Sequence, residues 1–197
     1  MREVKEIVFK NYRVLLLEKD SKDWKKFNKL IRMYHYLHSL PTGGLTYKIV
    51  CECRVCGSWL ALVEYRSPPI GTYMFIRKRF SSITSPRQIL INTRFLVLYP
   101  HYILDRRKCH ENFKGSMALA KSLSLLKLVD SEVKVVVTYV DVARGYEGKI
   151  YRAANFKELG MSAGINIKRP VAINRRVKGK WRAEKVSKKK VLYYKLR

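Results

Sequence analysis

Acidic residues are scarce in this sequence, and their scarcity leaves a large positive charge. The 197 residues contain 15 Asp and Glu against 42 Lys and Arg, which gives a formal net charge of +27. Solubility alone does not require such an excess, whereas each phosphate that a basic side chain neutralises releases condensed counterions. We therefore expect a nucleic acid partner, ahead of a generally basic composition with no specific partner and well ahead of an anionic membrane surface.

Long apolar runs are also absent. No run approaches the roughly 18 residues of a membrane span, and the first ten residues, MREVKEIVFK, lack the apolar segment of a secretory signal. We therefore expect a cytoplasmic, intracellular protein with no membrane partner. Hydrophobic residues still make up 47% of the chain, enough to fold, and no repeat or low-complexity linker divides it. We predict a single domain over residues 1–197.

Cysteine is too rare for a disulfide framework, since the chain holds only four. Cys51, Cys53 and Cys56 form the pattern C-x-C-x-x-C, and the Cys109-His110 pair is able to complete a four-ligand metal set. However, Cys51 and Cys53 fit strand positions, and no second C-x-x-C pair exists. We therefore favour ordinary buried thiols and predict no metal site, with a structural metal as the alternative.

Hydrophobic periodicity predicts a mixture of strands and helices. Residues 66–92 contain three prolines and a glycine, and they are predicted to be irregular at first, around Pro68, Pro69 and Gly71. The other predicted elements are one or two strands within 1–18, an amphipathic helix over 22–38, a hairpin of 46–53 and 58–65, a strand over 92–99, a helix beginning at 115, a strand over 133–137, a helix over 149–156, extended segments within 165–177 and a strand over 191–196.

Residues 133–160 carry the strongest functional signal, VKVVVTYVDVARGYEGKIYRAANFKELG. Their order is a buried strand, a turn with two glycines and a short helix. Residues 150–156, IYRAANF, resemble the LYEKLGF signature of GNAT-fold acyltransferases. The wider pattern from 138 to 160 is similar to Mom-type phage DNA-modification proteins, which read roughly SYADxxxGHxGxIYxAxNWxxxG. The sequence departs from that pattern at Thr138, Tyr146 and Phe156, and Tyr146 stands where the family has a histidine.

This resemblance implies a mixed α/β (α+β) GNAT-like fold, with a central mixed β-sheet flanked by helices. It also implies acetyl-CoA or another acyl-coenzyme A as the cofactor. For the Mom-type branch it implies that a methylcarbamoyl group is added to an adenine amino group in DNA, and the protein would be virus- or phage-encoded. By the same resemblance Tyr151 stabilises or protonates the departing coenzyme A thiolate. Asp141, at the end of the predicted strand, is our candidate to accept the proton of the amine.

Two histidines near the end of the first helix are further catalytic candidates. His35 and His38 are three residues apart, so they share a helical face. Mom-type proteins have a similar aromatic and His-rich stretch before a Pro/Gly loop. We expect one of the two to contact the substrate base or accept its proton, with a partly exposed helix end as an equal alternative.

The predicted cofactor site lies between the strand over 92–99 and the helix that begins at Gly115. In GNAT folds the matching strand splays from its neighbour and pairs with the pantetheine arm, which points to Leu98 and Tyr99. Free N–H groups at the start of a helix bind anions, and Asn112-Phe113-Lys114-Gly115-Ser116-Met117 aligns imperfectly with the GNAT pyrophosphate signature Q/R-x-x-G-x-G/A. We therefore assign Asn112, Gly115 and Ser116 to the cofactor, together with Asn155 of the signature helix.

Two basic segments are predicted to contact nucleic acid. Arg77, Lys78 and Arg79 follow the aromatic stretch 73–76 and form a plausible lip of the binding surface, with a solvated loop as the alternative. Residues 168–197 contain 13 Lys and Arg and a single acid. Apolar residues are interleaved with these charges, so we predict a basic β-hairpin over about 165–197 in which Arg175, Arg176, Lys188 and Lys189 contact phosphates.

We interpret the sequence as a nucleic-acid-modifying, acyl-CoA-dependent transferase, with DNA favoured over RNA as the substrate. Two alternatives stay open. One is a GNAT N-acetyltransferase acting on RNA or on a protein, and the other is a non-enzymatic nucleic-acid-binding protein on a GNAT scaffold.

Overall fold

The computed structural model describes residues 5–37, 44–100, 108–162, 166–170, 181–185 and 188–196. Within these ranges the chain forms ten strands and four helices in the following order: β1 (Glu6–Phe9), β2 (Tyr12–Leu16), α1 (Lys22–Tyr34), β3 (Thr46–Cys53), β4 (Trp59–Arg66), α2 (Ile70–Arg77), β5 (Ile89–Val97), α3 (Gly115–Val129), β6 (Val135–Val140), α4 (Lys149–Ala153), β7 (Lys157–Met161), β8 (Asn166–Pro170), β9 (Trp181–Lys185) and β10 (Lys190–Lys195).

Eight of the strands form one sheet, in the order β1-β2-β3-β4-β5-β6-β10-β7. Neighbouring strands of this sheet are antiparallel except β5 and β6, which are parallel. A parallel pair needs a crossover connection, and α3 lies in the connection between these two strands. The predicted mixed α/β fold, with helices flanking a central mixed sheet, is confirmed.

Successive side chains of β6 show how the two faces of the sheet are covered. Val136 packs into the cluster that contains α3, while Val135 and Val137 pack into the cluster that contains α2. Because alternate residues of a strand point to opposite faces, α3 and α2 lie on opposite faces of the sheet. The valine-rich strand is therefore buried from both sides, which explains its nearly continuous apolar sequence.

Helix α3 begins at Gly115, as predicted, and buries a stripe formed by Leu119, Leu123 and Leu126. A polar pair within the same core is satisfied internally, because the hydroxyls of Tyr65 and Ser122 lie 2.6 Å apart. Helix α1 covers part of the sheet with Phe27 and Ile31, which are both fully buried.

Helix α1, helix α2 and strand β7 differ from the sequence-based prediction. Helix α1 ends at Tyr34 rather than near residue 38, because His35 takes an extended conformation, with φ −80° and ψ 134°. Helix α2 lies within the stretch predicted to be irregular. Its prolines precede the first helical residue, where they are tolerated, and burial of Tyr73 and Ile76 stabilises a segment of modest helix propensity. Strand β7, after α4, was not predicted.

The C-terminal part of the chain contributes to two sheets. Strands β8 and β9 pair antiparallel in a separate ladder, from Asn166 opposite Lys185 to Pro170 opposite Trp181. The final strand, β10, lies between β6 and β7 in the central sheet. Among the described residues, none of the helices is long and apolar enough to cross a membrane.

Candidate active site

A cavity opens where the two parallel strands separate. Strands β5 and β6 are paired from Ile89 opposite Val135 to Asn92 opposite Thr138. Beyond this point β5 continues beside β4, and β6 continues beside β10. The resulting cavity has a volume of about 650 Å³ and is lined by β5, β6, residues 34–36 and residues 145–151. This volume lies in the range of about 300–1,000 Å³ that is typical of ligand sites.

A β-bulge at the mouth of this opening bends β5. The β4–β5 register passes from Glu64 opposite Arg94 to Tyr65 opposite Asn92, so Thr93 is an extra residue on β5. The buried Asn92 side chain satisfies the carbonyl groups around the bulge. Its Nδ2 donates to Glu64 O at 3.1 Å and to Arg94 O at 3.2 Å. Its Oδ1 is thereby turned toward the cavity.

Tyr151 donates its hydroxyl proton to this amide, with 2.9 Å between Tyr151 Oη and Asn92 Oδ1. Its ring packs against Phe95 and Phe156, with centroid distances of 6.1 and 5.4 Å. Burial raises the pKa of Tyr151 to about 12, although a hydrogen bond with Thr138 acts in the opposite direction. The phenol is therefore protonated at neutral pH and acts as a hydrogen-bond donor inside the cavity.

Asp141 lies on the cavity wall directly after β6, with its side chain 12% exposed. One oxygen, Oδ2, lies 3.6 Å from Arg144 Nε and 3.7 Å from Lys189 Nζ. The other, Oδ1, is buried and accepts no hydrogen bond from the described residues. Buried polar atoms usually have a partner, so Oδ1 is an acceptor suited to a donor group of a ligand.

Three aromatic rings and a guanidinium form a second wall of the site. The buried His35 ring lies 4.5 Å from the Tyr36 ring, and Tyr36 lies 5.4 Å from Tyr146. The Arg144 guanidinium lies 5.2 Å from the Tyr36 ring centroid. Burial, with the charge of Asp141 next in importance, raises the pKa of Tyr36. The early end of α1 creates this wall, because it releases His35 and Tyr36 from the helix toward the cavity.

The hydrogen bond to Nδ1 of His35 favours contact with the substrate over a role as a general base. Its Nδ1 accepts a hydrogen bond from the backbone N–H of Leu37 at 3.3 Å. A neutral imidazole whose Nδ1 is an acceptor carries its proton on Nε2. The ring therefore presents a face for stacking, and its Nδ1 is already engaged.

The start of α3 is held against the cavity wall by Gly115. A Cβ atom at this position would lie 2.7 Å from Val97 Cγ2 and 2.9 Å from Ile150 Cδ1, and both of these side chains line the cavity. The N–H groups of Gly115 and Ser116 donate to no described residue, whereas those of the next two residues bond to Lys114 O. The free N–H groups and the dipole of a 15-residue helix suit an anion here.

None of the six residues that were assigned to the cofactor is among those that line the cavity, although Gly115 lies against the lining residues Val97 and Ile150. The N–H groups of Leu98 and Tyr99 both lie within bonding distance of Leu60 O, at 2.8 and 3.3 Å, and the Leu98 side chain is buried in the core. Strand β5 begins three residues earlier than predicted, so its open edge also comes earlier, at 93–97. Asn112 is exposed before α3. Asn155 is exposed with φ 67°, so it ends α4 in the left-handed conformation that asparagine tolerates.

The residues predicted to contact nucleic acid lie at the end of α2, just before β10, and outside the described residues. Arg77, Lys78 and Arg79 are exposed at the end of α2, where the Arg79 guanidinium lies 3.7 Å from the Phe75 ring centroid. Lys188 is exposed, whereas Lys189 is directed at Asp141. The remaining predicted site residues, which lie outside the described residues, are His38, Arg175 and Arg176.

The first turn of helix α2 contacts the cavity wall through a side-chain hydrogen bond. Thr72 Oγ1 lies 2.9 Å from the hydroxyl of Tyr139, and Tyr139 lines the cavity.

Sequence reasoning missed Asn92, Tyr36 and Arg144 as site residues. Asn92 carried a usable signal, because a polar residue inside a strongly apolar strand must find buried partners. Tyr36 lies in the aromatic stretch beside the predicted His35, and Arg144 lies in the signature loop. These residues come together because α1 ends at Tyr34, and the hydrophobic periodicity of the sequence did not predict that end.

Comparisons with known proteins bear on the fold and on part of the sequence. The family model described as the Mom protein family matches residues 102–192. The structure is similar to the ribosomal-protein-S5-alanine acetyltransferase from Vibrio fischeri, with a TM-score of 0.54 and 12% identity over 96% of both chains. It is also similar to a chimera of spermidine N-acetyltransferase SpeG from Vibrio cholerae and hSSAT, with a TM-score of 0.54 and 11% identity over 95% of this chain and 96% of that one.

The fold is therefore that of the GNAT acetyltransferases, and identities this low establish the fold alone. None of the curated protein sequences matches the chain. The predicted resemblance to the GNAT fold is confirmed, and the resemblance to the Mom-type family is confirmed over residues 102–192.

Proposed function

We propose that the protein transfers an acyl-type group from acyl-coenzyme A to an exocyclic amino group of a nucleobase, with adenine in DNA as the preferred substrate. The observation that carries this proposal is the chemistry of the open β5–β6 edge. There a protonated phenol, Tyr151, and a buried carboxylate oxygen, Asp141 Oδ1, line the same cavity. Transfer from a thioester to an amine needs a donor near the departing sulfur and an acceptor near the attacking nitrogen.

The residues present fit a coenzyme A thioester. The open edge of β5 at 93–97 supplies backbone groups for an extended amide-containing arm, and the N–H groups of Gly115 and Ser116 suit its pyrophosphate. Adding a Cβ at Gly115 would press against the cavity wall, which agrees with close approach of α3 at this point. When bound, the thioester supplies an activated acyl group with a thiolate as leaving group.

Tyr151 would stabilise the departing sulfur through a hydrogen bond. Its pKa of about 12 is higher than the roughly 8.5 of an ordinary alkyl thiol such as cysteine. Complete proton transfer from the phenol to the thiolate is therefore unfavourable, and donation of a hydrogen bond is favoured. Asn92 would hold the hydroxyl in place until a stronger acceptor displaces its Oδ1.

Asp141 would orient the substrate amine and accept its proton. An exocyclic amine conjugated to a purine ring is a weak nucleophile, so placement against the acyl donor is decisive. Oδ1 is the acceptor, while Arg144 and Lys189 hold the carboxylate through Oδ2. After the proton has moved, these two cations lie beside a neutral acid, so the same contacts favour the return of the carboxylate.

The aromatic wall suits a flat heterocycle. A base that leaves a duplex loses its stacking, and active sites of this kind restore it with aromatic side chains. Tyr36 and Tyr146 supply such rings beside Asp141, and the His35 ring stacks behind them. The net charge of +27 and the exposed cluster at 77–79 support a polyanionic substrate that extends beyond the cavity.

Nucleoside mass spectrometry is the test of this proposal. DNA and RNA from cells that make the wild-type protein are compared with those from cells that make Asp141→Asn. We expect a mass-shifted deoxyadenosine in DNA with the wild type alone. A shifted ribonucleoside would favour the RNA alternative. Unmodified nucleic acid would contradict the proposal. In that case calorimetry with acetyl-coenzyme A separates an acetyltransferase with a protein substrate from a scaffold that binds no cofactor.

A further inference from the structure

A compact group of sulfur and imidazole ligands lies outside the cavity. The Sγ atoms of Cys53, Cys56 and Cys109 and one ring nitrogen of His110 all lie within 4.8 Å of one another. The first two residues flank the turn between β3 and β4, and the other two lie in the 3-10 turn Lys108–His110 just before α3. The fold thus brings together two short pairs that are far apart in the sequence.

The turn between β3 and β4 has the geometry of a ligand loop. Cys53 and Cys56 are separated by two residues, a spacing that recurs in structural zinc sites. Gly57 follows with φ +71°, a conformation that favours glycine. Its N–H donates to Cys53 O at 2.8 Å, and Cys53 N donates to Ser58 O at 2.9 Å. These bonds hold both thiols on the same side of the turn.

The imidazole of His110 is buried beside the thiol of Cys56. The residue is 0% exposed, and its Nε2 lies 3.0 Å from Cys56 Sγ. Its Nδ1 is also buried and has no hydrogen-bond partner among the described residues. All four cysteines of the chain are free, so no disulfide accounts for the cluster.

We propose that Cys53, Cys56, Cys109 and His110 bind one structural Zn²⁺ ion. Three thiolates and one imidazole form a common closed zinc set, and thiolate ligands select zinc over Mg²⁺ or Ca²⁺. Zn–S distances of about 2.3 Å place tetrahedral sulfur atoms about 3.8 Å apart, so the present spacing requires only a small contraction. Four protein ligands leave no open position, so the ion stabilises structure and takes no part in the transfer.

This proposal reverses the sequence-based preference for ordinary buried thiols. The pattern C-x-C-x-x-C suggested Cys51 as a ligand, but Cys51 lies outside the group. Cys109 is the third thiolate ligand instead. A second C-x-x-C pair is not needed, because the adjacent Cys109 and His110 supply the last two ligands.

The position of the site indicates what the ion does. Phe113 N donates to His110 O at 2.9 Å, and Tyr12 donates its hydroxyl proton to Cys109 O at 3.1 Å. Gly115, at the rim of the cavity, follows shortly after. An ion at the cluster therefore fixes the segment that leads into α3 to the tip of the β3–β4 hairpin. Its loss should loosen the start of α3 and weaken binding of coenzyme A as a secondary effect.

Metal analysis of the full-length protein tests the proposal. We expect about one zinc per chain after purification under reducing conditions. Wild-type apoprotein titrated with Co²⁺ should show thiolate-to-cobalt charge transfer and the visible bands of a tetrahedral site, saturating at one equivalent. Cys56→Ser, at a half-buried position in the turn, should reduce Co²⁺ affinity by at least tenfold. Cys51→Ala is the matched control. Cys51 is a buried thiol on β3 outside the ligand group, so its replacement should leave the metal content unchanged.

Three results would overturn the proposal. The first is wild-type protein that holds no zinc and gives no tetrahedral cobalt spectrum after full reduction. The second is loss of metal binding in Cys51→Ala equal to that in Cys56→Ser. The third is a disulfide within the group in protein purified under reducing conditions. The wild-type cobalt spectrum decides the question even where a ligand variant fails to fold.

Discussion

The two edges of β6 differ, because one edge is paired along the whole strand and the other edge borders the cavity. Toward β10 the ladder is continuous, from Val140 opposite Lys190 to Val135 opposite Lys195. Toward β5 the ladder stops at Thr138 opposite Asn92. The same residues of β6 face both neighbouring strands, so the separation originates in β5. There the bulge at Thr93 bends the strand away from β6.

The comparison shows that the site forms where pairing between two strands of the sheet stops, and not on an element added to the sheet. On the closed side the backbone groups are satisfied by β10. On the open side the bulge is stabilised by the Asn92 amide, and backbone groups of β5 are left to a ligand. The reacting groups, Tyr151 and Asp141, lie on this open side. Removal of the reacting groups on the open side should therefore affect catalysis, and removal of other polar groups should not.

The largest effect is expected at Asp141. Asp141→Asn removes the proton acceptor and leaves Arg144 and Lys189 facing a neutral amide, so turnover should fall by about 10³–10⁴-fold. Glu147→Gln is the control, because Glu147 also lines the cavity but is exposed and paired with Lys149 at 3.1 Å. Single-turnover rates of the two variants are compared. Equal losses would show that the carboxylate acts only through the local charge.

Tyr151→Phe should cost less, about 10²-fold in turnover, as expected for one donor to a developing negative charge. The ring and its packing against Phe95 and Phe156 are kept, so coenzyme A affinity should stay nearly unchanged. Tyr139→Phe removes another hydroxyl from the cavity wall, one that bonds to Thr72, and should have little effect. A fully active Tyr151→Phe protein would remove Tyr151 from the reaction.

Gly115→Ala should weaken coenzyme A binding by about tenfold, or ~1.4 kcal/mol. The new Cβ presses on Val97 and Ile150 and pushes the start of α3 away from the open edge. The double variant Gly115→Ala with Val97→Ala should recover part of the affinity. Gly71→Ala is the control, since no atom lies within 4 Å of its new Cβ. Calorimetry that shows equal affinity in Gly115→Ala would place the pyrophosphate elsewhere.

The smallest effect concerns stability at high pH. The pKa of Tyr151 is raised in the folded protein from an ordinary value near 10 to about 12. A raised pKa means that its stabilising contribution is complete below pH 10 and is lost as the pH rises toward 12. The melting temperature of the wild type should therefore fall more steeply over this window than that of Tyr151→Phe. Parallel curves would mean that the hydroxyl is not desolvated.

The sequence predicted those parts of the fold that local patterns determine. The strand–turn–helix unit over 133–160 was recognisable because its valines, its two glycines and its short helix are adjacent in the chain. Tyr151 and Asp141 were found in that unit, and both line the cavity. Gly115 was found because a glycine at the start of a strongly apolar helix is a local signal.

Features that depend on distant contacts were not predictable in this way. Helix α2 is stabilised by tertiary burial of Tyr73 and Ile76, which overrides its modest propensity. The position of the strand separation depends on a bulge at Thr93 and on pairing with β4. Lys189 was interpreted as a phosphate contact, but the pairing of β10 with β6 brings it to Asp141.

Hydrogen–deuterium exchange with and without coenzyme A tests the central claim most directly. If the open edge of β5 holds the cofactor, binding should slow exchange at residues 93–97 and at Gly115 and Ser116. The ladder between β6 and β10 should remain unchanged, because its amides are already paired. Saturating coenzyme A that protects neither segment, or that protects another surface instead, would contradict the assignment of the cavity as the acyl-transfer site.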